Sequence, residues 1–251
     1  MYPMKPYVLI TGASGGLGLS LARKLTAKGF SLALVSRSIN KILPLAEELD
    51  GFAIEANIST PEGAAHTLAN CLSKFDKPPS GLALCAGSTL IAPLHRTSPE
   101  QYRDCFSANF DTAYYTLQAY ISQCLDKGLP GAAVLVSSVV ARIGVVNHEA
   151  IAASKGAIEA LTRSAAATYA IKNIRVNAIA PGLMRSPLTE RLFNTNSEKQ
   201  LAAQYPLGRY GSVDDGAEAI CWLLSDNTRW VTGQIIPIDG GFTAIRPLVK
   251  A

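Results

Sequence analysis

The sequence predicts an α/β fold in which a doubly wound, seven-stranded parallel sheet is covered by helices on both faces. Seven short apolar runs alternate with helical segments, and this alternation is typical of parallel sheets. The length of 251 residues, 48% of them hydrophobic, is enough for one large core. No linker-like change of composition divides the chain, so we predict a single domain over residues 1–251. The predicted strands cover residues 7–11, 31–36, 52–56, 82–85, 133–137, 174–179 and 235–239.

Several helix boundaries are marked by capping residues. Ser98-Pro99-Glu100-Gln101 is typical of a helix start, with Ser as the N-cap, Pro in the first turn and Gln completing a capping box. Ser212-Val213-Asp214-Asp215 is a similar start. Gly128 and Asn173 are predicted helix ends because both residue types tolerate a left-handed backbone.

Charge and hydropathy argue against two classes of partner. The net charge of +4 is small, and the Lys and Arg residues are scattered without a basic run, so we predict neither nucleic-acid nor membrane-surface binding. The longest apolar stretch, residues 132–146, is interrupted by Ser137, Ser138 and Arg142. It falls short of the roughly 18 uninterrupted apolar residues of a membrane span. We therefore predict no membrane partner.

Cysteine usage and the amino-terminal sequence predict a cytoplasmic protein. The first ten residues lack a basic segment followed by an apolar one, so no export signal is predicted. The five cysteines are far apart and form no Cys-x-x-Cys pair, which argues against a metal cluster or a disulfide framework. We predict free thiols in a reducing compartment and no metal site. These cysteines are Cys71, Cys85, Cys105, Cys124 and Cys221.

A glycine-rich turn follows the first predicted strand and precedes a helical pattern. Thr11-Gly12-Ala13-Ser14-Gly15-Gly16-Leu17-Gly18 ends where Leu19, Leu21 and Leu25 begin an apolar helix face. Glycines allow a tight turn and a close approach of the backbone to a pyrophosphate. The N–H groups and the dipole at the helix start favour its negative charge. Strand, turn and helix together predict a Rossmann-type dinucleotide site.

The spacing Gly12-x-x-x-Gly16-x-Gly18 resembles the classical short-chain dehydrogenase/reductase superfamily, and the resemblance extends over nearly the whole chain. Cys85-Ala86-Gly87 is similar to the family's Asn-Ala-Gly turn, and Asn109 lies where the family has an Asn in the mid-chain helix. The remaining family motifs are Ser137-Ser138, Ser154-Lys155, Pro181-Gly182, Gly208-Arg209, Thr232-Gly233-Gln234 and Asp239-Gly240-Gly241. The resemblance implies a nicotinamide cofactor bound by Gly12, Ser14, Gly15, Gly16, Leu17, Gly18, Ser36, Arg37, Ser38, Asn57, Ile58, Ala86, Gly87, Lys155, Pro181 and Gly182.

The end of the second strand favours NADP(H) over NAD(H). An acidic residue there would bind the ribose hydroxyls and repel a 2′-phosphate, but the chain has Ser36-Arg37-Ser38. The Arg and the two hydroxyls can bind a phosphate through charge-assisted hydrogen bonds. The alternative is that Arg37 is an ordinary solvated residue. Asn57 replaces the family's Asp, and its amide oxygen can still accept from the adenine amine.

The resemblance also implies catalytic roles, with one departure. In the family a Ser orients the substrate carbonyl, a Tyr exchanges the proton, a Lys four residues later lowers the Tyr pKa, and an Asn anchors a water. These roles correspond to Ser138, position 151, Lys155 and Asn109, and position 151 is Ile. Loss of a positioned general acid costs on the order of 10²–10⁴ in rate. Cofactor binding and catalysis must therefore be predicted separately.

His148 is the candidate replacement for the missing proton donor. It lies three residues before position 151, on the same predicted helix face, and histidine exchanges protons near neutral pH. A rise of about 1.5 Å per residue places it ~4.5 Å further from Lys155 than position 151. The open alternatives are that His148 only lines the pocket, that a bound water donates, or that Glu149 takes part.

Two functions remain compatible with the sequence. The leading hypothesis is an NADP(H)-dependent oxidoreductase that interconverts a carbonyl and a secondary alcohol by hydride transfer with an altered proton donor. The alternative is a catalytically silent NADP(H)-binding sensor or subunit. Substrate specificity is expected in residues 88–97, 140–147 and 184–206, beyond the carboxyl ends of the strands. Residues 184–206, with Arg185, Arg191 and Phe193, are predicted to form a lid, and the open alternative is an ordinary surface segment.

The resemblance further implies a homo-oligomer, a dimer or tetramer, paired through the helices that carry Asn109 and Lys155. The apolar side chains of these helices exceed what one sheet face needs to cover, and self-complementary surfaces form closed symmetric assemblies. Tyr114 and Tyr115 are interpreted as core or subunit-contact residues. The apolar side chains in question are Ala113, Leu117, Tyr120, Ile158, Leu161 and Ala165.

Overall fold

Seven parallel strands form the central sheet in a computed structural model of the chain, which describes residues 6–195 and 197–246. Their order is β3-β2-β1-β4-β5-β6-β9, and every pairing is parallel. This confirms the predicted doubly wound α/β fold. The strands are β1 (Tyr7–Thr11), β2 (Ser31–Ser36), β3 (Phe52–Glu55), β4 (Gly81–Leu84), β5 (Gly131–Val136), β6 (Ile174–Pro181) and β9 (Ile235–Ile238).

Both faces of the sheet are buried, which explains the nearly continuous apolar strands. In β1, Tyr7 and Leu9 belong to one hydrophobic cluster, while Val8 and Ile10 belong to a second cluster on the opposite face. All five residues of β1 are buried. A parallel sheet covered on both sides buries every side chain of a central strand, whichever way it points.

Helices cover the two faces in two groups. The face of Val8 is covered by α1 (Gly16–Ala27), α2 (Leu43–Leu49) and α9 (Val213–Leu224). The face of Tyr7 is covered by α3 (Pro61–Phe75), α5 (Thr112–Lys127) and α6 (Glu149–Tyr169). The shorter helices are α4 (Pro99–Phe106), α7 (Glu190–Thr195) and α8 (Glu198–Ala202). Within the described ranges, no helix combines the length and the apolar character that crossing a bilayer requires.

The predicted helix boundaries are confirmed where capping residues marked them. Ser98 and Gln101 form a reciprocal capping box at the start of α4. Ser212 and Asp215 form another at the start of α9. Gly128 ends α5 with a φ of 62°, and Asn173 has a φ of 56° just before β6. The two serines accept hydrogen bonds from N–H groups in the first turns of α4 and α9. The left-handed backbone at Gly128 and Asn173 ends the helical segments before them.

Two features were not predicted. A small second sheet pairs β7 (Met184–Arg185) with β8 (Gly211–Ser212). The helix expected to carry Asn109 is interrupted by a π-helical turn, Ser107–Asp111, between α4 and α5. A π turn inserts one extra residue into the i→i−4 hydrogen-bond pattern and occurs frequently at functional sites.

Candidate active site

The glycine-rich turn after β1 is fixed by backbone contacts that exclude side chains. Gly12 has a left-handed backbone with a φ of 62°, and Gly15 N donates to Gly12 O at 2.9 Å. A Cβ on Gly12 would lie 2.7 Å from Ala86 N, which is too close. α1 begins at Gly16, and its N-cap Gly15 has no side chain to occupy the first N–H groups. The positive end of α1 is therefore open to an anion such as a pyrophosphate.

The turns after β1 and β4 lie side by side. Ala86 N donates to Thr11 Oγ1 at 3.1 Å. β1 and β4 are neighbours in the sheet although β2 and β3 lie between them in sequence, so the connections leave to opposite faces at this point. Such a switch point opens a crevice beyond the carboxyl ends of the strands, where ligands bind in doubly wound folds. The predicted cofactor residues Gly12 and Ala86 meet at this crevice.

The end of β2 brings three hydroxyl and amide groups together. Ser14 Oγ lies 3.5 Å from Ser36 Oγ, and Ser38 N donates to Ser36 Oγ at 3.3 Å. Arg37 is exposed, and none of the ion pairs found among residues 6–195 and 197–246 includes it. Its guanidinium is therefore available to an anionic ligand.

A carboxylate that the sequence analysis overlooked approaches the same turn. β2 and β3 pair with Ser36 opposite Glu55, and Glu55 Oε1 accepts from Ile39 N at 3.3 Å. The end of β2 itself carries no acidic residue, as expected, but the parallel register brings Glu55 close to it from the neighbouring strand. Like charges repel, so this carboxylate opposes a phosphate bound at Arg37.

Asn57 follows β3 at the edge of the crevice. Its Oδ1 accepts from Ser59 Oγ at 2.8 Å and from Ser59 N at 3.3 Å. Both lone pairs of the amide oxygen are thus used within the loop. An adenine amine would have to displace one of these hydrogen bonds in order to bind there. Ile58, next in sequence, is buried.

Lys155 is a buried cation beside the carboxyl end of β5. Its Nζ donates to Val136 O at 2.8 Å, and 7% of the residue is exposed. Burial lowers the pKa of Lys155 from 10.5 to about 8, and the thiols of Cys105 and Cys85 oppose this shift. The ammonium is therefore the main form at neutral pH, but its proton is much more easily lost than that of an exposed lysine.

Asn109 is fully buried in the π turn and holds the loop after β4. Its Oδ1 accepts from Ser88 N at 3.2 Å, and its Nδ2 donates to Ser88 Oγ at 3.2 Å and to Cys105 O at 2.8 Å. A Cβ on Gly87 would lie 2.8 Å from Asn109 Oδ1 and 3.5 Å from Lys155 Nζ. The two predicted catalytic residues are distant in sequence, and the fold brings them together on either side of Gly87.

Ser138 follows β5 directly. Its Oγ accepts from Val140 N at 3.3 Å and starts a short 3-10 turn, Val139–Ala141. The residue is half-buried. A hydroxyl has one proton and two lone pairs, so the proton and one lone pair remain for a ligand.

Ile151 lies inside a small apolar cluster next to these polar groups. It is 4% exposed and packs with Cys105 and Ala150, against which Leu90 and Val140 also pack. Its backbone oxygen accepts from Ser154 Oγ at 2.9 Å. The predicted shared face of position 151 and Lys155 is confirmed, since both lie on the buried side of α6. An aliphatic side chain at this position has no proton to exchange.

His148 is the N-cap of α6 and therefore precedes the helical residues that include Ile151 and Lys155. Its Nδ1 donates to Val146 O at 2.7 Å, because a carbonyl can only accept. In the neutral ring, Nε2 is then the free acceptor. The preceding Asn147 has a left-handed backbone with a φ of 62°, and its oxygen accepts from Ala92 N at 2.9 Å. The loop of residues 140–147 is thereby linked to residues 88–97, the two segments predicted to set specificity.

An ion pair that the sequence did not indicate joins Arg142, whose side chain is 31% exposed, to the buried carboxylate of Glu159. Arg142 Nε donates to Glu159 Oε1 at 3.0 Å, and Ser137 Oγ lies 3.1 Å from the same oxygen. Arg142 Nη2 also donates to Ile235 O at 3.1 Å. The two charged residues are 17 positions apart, and in sequence each resembles an ordinary surface residue.

Comparison with known proteins identifies the family. A sequence profile of the family described as enoyl-(acyl carrier protein) reductase matches residues 12–243, which is most of the chain. The 3-oxoacyl-(acyl-carrier-protein) reductase FabG of Staphylococcus aureus is 32% identical over 244 residues, covering 95% of this chain and 98% of that protein. The chain belongs to the short-chain dehydrogenase/reductase superfamily.

Solved structures agree with this assignment. A short-chain type dehydrogenase/reductase from Mycobacterium ulcerans superposes with a TM-score of 0.89 at 28% identity, covering 98% of this chain and 92% of that one. ElxO with NADP bound gives a TM-score of 0.90 at 24% identity, covering 96% and 100%. The predicted superfamily is confirmed, and this short-chain dehydrogenase/reductase is similar to oxidoreductases.

A cavity of about 410 Å³ lies beyond the ends of β6 and β9 in this short-chain dehydrogenase/reductase. It includes the predicted cofactor residue Gly182, whose N donates to Ile238 O at 3.0 Å. Tyr205 closes one side and accepts from Leu183 N at 2.9 Å. Among the residues that the structure describes, the cavity is lined by Gly182, Leu183, Tyr205, Leu207, Arg209, Gly211, Asp215, Pro237, Ile238, Asp239, Gly240, Gly241 and Ile245. Ser138, Lys155 and Asn109 are not among these lining residues.

The predicted lid contains an ion-pair cluster centred on Arg185. Its guanidinium contacts Glu190 at 3.1 Å and Glu198 at 2.6 Å, and it lies 4.9 Å from the Phe193 ring centroid. Tyr210 donates to Glu198 at 2.9 Å. These contacts join α7 and α8 to the small β7–β8 sheet. Exposed ion pairs contribute little stability each, so the segment is held more weakly than the core.

Proposed function

We propose that this protein is an NADP(H)-dependent oxidoreductase that interconverts a carbonyl and a secondary alcohol by hydride transfer, with a proton donor other than tyrosine. The observation that carries the proposal is the juxtaposition of Lys155 and Asn109 across Gly87, beside the crevice that begins at Gly12. A phosphate-binding turn alone would serve any dinucleotide, whereas a buried cation held at the carboxyl end of β5 can stabilise negative charge on a substrate oxygen.

The residues present fit a phosphorylated dinucleotide. The turn around Gly12 has no room for a side chain, the N-cap Gly15 leaves the first N–H groups of α1 uncovered, and the start of this helix attracts a pyrophosphate. Arg37 and the hydroxyls of Ser36 and Ser38 would hold the 2′-phosphate, while Glu55 weakens that preference without removing it. Ile58, Ala86, Pro181 and Gly182 would line the rest of the cofactor site.

Each proposed catalytic residue has a distinct task. The Ser138 hydroxyl donates to the substrate oxygen and fixes its orientation. Lys155 places a positive charge near the oxygen that gains negative charge, and Asn109 keeps the Gly87–Ser88 backbone in place. A nicotinamide cofactor held by these residues would supply or accept the hydride. His148 is the proposed proton donor, through Nε2 of its protonated ring, with a water molecule as the alternative.

An absorbance assay tests the enzyme proposal directly. NADPH consumption at 340 nm would be followed with a panel of ketones, quinones and β-ketoacyl thioesters, the last chosen because a FabG relative is 32% identical. We expect slow or narrowly selective turnover, because Ser138 and Lys155 remain while the phenol is lost. Bound NADPH with no turnover of any class in the panel would overturn the enzyme proposal.

One observation favours a second candidate function. Ile151 is buried in an apolar cluster and offers no proton, so the site as it stands suits binding better than proton transfer. The second candidate is a catalytically silent sensor or subunit that binds NADP(H). It is supported if NADPH binds with micromolar or tighter affinity and alters association with another protein but is never oxidised.

The cofactor preference gives a thermal prediction. NADPH should raise the melting temperature more than NADH at equal concentration, because a ligand stabilises the state to which it binds. Arg37→Ala should narrow this difference, since it removes the charge that faces the phosphate. Differential scanning fluorimetry measures both shifts, and equal shifts for the two cofactors in the wild type would contradict the assignment.

Glu55→Gln is the matched control for this experiment. It keeps a hydrogen-bond acceptor for Ile39 N but removes the negative charge. It should therefore widen the difference between the melting-temperature shifts with NADPH and NADH, whereas Arg37→Ala should narrow it. Glu62→Gln, on the exposed first turn of α3, should change neither shift.

Self-association remains a proposal, but most of the side chains expected to form the interface do not lie at the protein surface. Five of the six residues on which the interface expectation rested are buried within the protomer: Ala113, Leu117, Tyr120, Ile158 and Ala165. They cover the sheet and cannot form a contact between subunits. The exposed Tyr114 remains on α5, where its ring lies 5.8 Å from Phe110 and 5.6 Å from Tyr115.

We expect light scattering at micromolar concentration to give a dimer or tetramer. Tyr114→Lys should lower the mass toward that of a monomer by placing a charge in the aromatic patch, because a buried unpaired charge is costly. Lys127→Glu, at the far end of α5, serves as the control charge change. A wild-type monomer would refute self-association.

Two further assignments complete the proposal. Residues 184–206 act as a lid within one domain spanning residues 1–251, supported by the weakly held Arg185 cluster. A cytoplasmic location is supported by the five cysteines, which are free thiols, four of them buried.

A further inference from the structure

The carboxylate of Glu159 is a buried charge that the proposed chemistry does not use. Its side chain is 10% exposed, one helical turn after Lys155 on α6. A buried carboxylate is tolerated only where hydrogen bonds and an opposite charge compensate its lost hydration. Arg142 Nε supplies the charge at 3.0 Å, and Ser137 Oγ lies 3.1 Å away.

These contacts join three separate elements: the turn after Ser138, α6 and the start of β9. Arg142 ends the 3-10 turn that follows Ser138, and its Nη2 donates to Ile235 O at the start of β9. Glu159 belongs to the helix that carries Lys155. Ser137 Oγ also lies 3.2 Å from Lys155 O, so its single proton is donated either to that backbone oxygen or to Glu159.

We propose that the Arg142–Glu159 ion pair is a positioning device that holds Ser138 at a fixed place relative to Lys155. The inference rests on the proposed function. Among the described residues, the hydrogen bonds and ion pairs of the two charged groups lead to Ser137, Arg163 and Ile235 and to none of the proposed cofactor residues, so the pair acts through Ser137 and the Val139–Ala141 turn. Displacement of a catalytic group by about 1 Å can lower the rate by about 10²-fold, so a rigid tether here has a large effect on turnover.

A second arginine provides a matched comparison. Arg163 Nη1 lies 3.7 Å from the other oxygen of Glu159, but its side chain is 57% exposed. Within residues 6–195 and 197–246, no hydrogen bond or ion pair was found between this side chain and the turn after Ser138 or β9. Arg142→Gln and Arg163→Gln therefore each remove one positive charge beside the same carboxylate, and only the first removes the tether.

Arg142→Gln should lower kcat by about 10²-fold while the NADPH dissociation constant, measured by fluorescence titration, stays unchanged. Arg163→Gln should leave both unchanged. Glu159→Ala should reproduce the loss, and Glu159→Gln should recover most of it, because the amide oxygen still accepts from Ser137 and Arg142. If Arg142→Gln fails to fold, Arg142→Lys keeps the charge without the second hydrogen bond and should give an intermediate loss.

Amide hydrogen exchange provides a readout that does not depend on turnover. Residues 139–147 should exchange faster in Arg142→Gln than in the wild type and Arg163→Gln. Local opening of this segment must break the Arg142–Glu159 ion pair in the latter two proteins, and this cost is absent in Arg142→Gln. Equal exchange in all three proteins, or an equal kcat loss in both arginine variants, would overturn the inference. If the wild type oxidises no NADPH, the proposed function fails, and the exchange comparison still decides whether the tether exists.

Discussion

Lys155→Met should lower the rate of carbonyl reduction by at least about 10²-fold, because the loss of one positioned acid–base group has an effect of this size. The methionine keeps the length and burial of the side chain but removes the charge near the substrate oxygen and the hydrogen bond to Val136 O. Steady-state NADPH oxidation measures the change. Lys172→Met, an exposed lysine before β6, is the control and should retain wild-type activity.

The same residue predicts the pH dependence. Because burial lowers the pKa of Lys155 to about 8, its ammonium is present below that pH and is lost above it. The kcat/KM for reduction should therefore fall as the pH rises through about 8. Lys155→Arg, which stays charged throughout this range, should abolish this decrease. A wild-type profile that stays flat up to pH 9.5 would show that Lys155 takes no part in reduction.

Ile151→Tyr should raise ketone reduction by about tenfold or more, because it restores a phenol at a position that shares the buried face of α6 with Lys155. The nearby ammonium should lower the pKa of the new phenol, and Ser138 should still orient the carbonyl. Initial rates with the best ketone of the panel, compared between wild type and variant, measure the gain.

Ile151→Phe separates the hydroxyl from the ring. Both substitutions enlarge the side chain that packs against Cys105 and Ala150, so any effect of repacking appears in both. A gain only in the Tyr variant supports the restored proton donor. If Ile151→Tyr instead lowers turnover while His148→Ala abolishes it, the wild type uses His148 as its donor. Inactivity of both wild type and Tyr variant, with NADPH bound, favours the sensor or subunit.

The fold was predictable because the relevant signals are local. Continuous apolar strands, capping residues such as Ser98, and the Gly12 turn each depend on a few neighbouring residues. Strand boundaries shifted by only one or two residues, as in β5, where the structure starts at Gly131. The small β7–β8 sheet was missed, since two-residue strands have too few side chains to show a pattern.

The candidate site was only partly predictable. The family motifs led to Ser138, Lys155 and Asn109, and the fold places Lys155 and Asn109 on either side of Gly87. The sequence could not show Glu55 beside the Arg37 turn, because that proximity depends on the register between β2 and β3. It also could not show which apolar residues of α5 and α6 the protomer itself covers, and five of the six side chains named for the interface are buried within the protomer.

The sequence by itself determined the α/β class, the dinucleotide turn, the superfamily and the unusual isoleucine at position 151. Each of these follows from residue identity and short-range spacing. Only the tertiary structure decided that Lys155 is buried enough to lower its pKa, that Arg142 and Glu159 form an ion pair, and that Asn57 already binds Ser59. Desolvation, ion pairing and hydrogen bonding depend on distances between atoms, and the chain sets those distances only when it is folded.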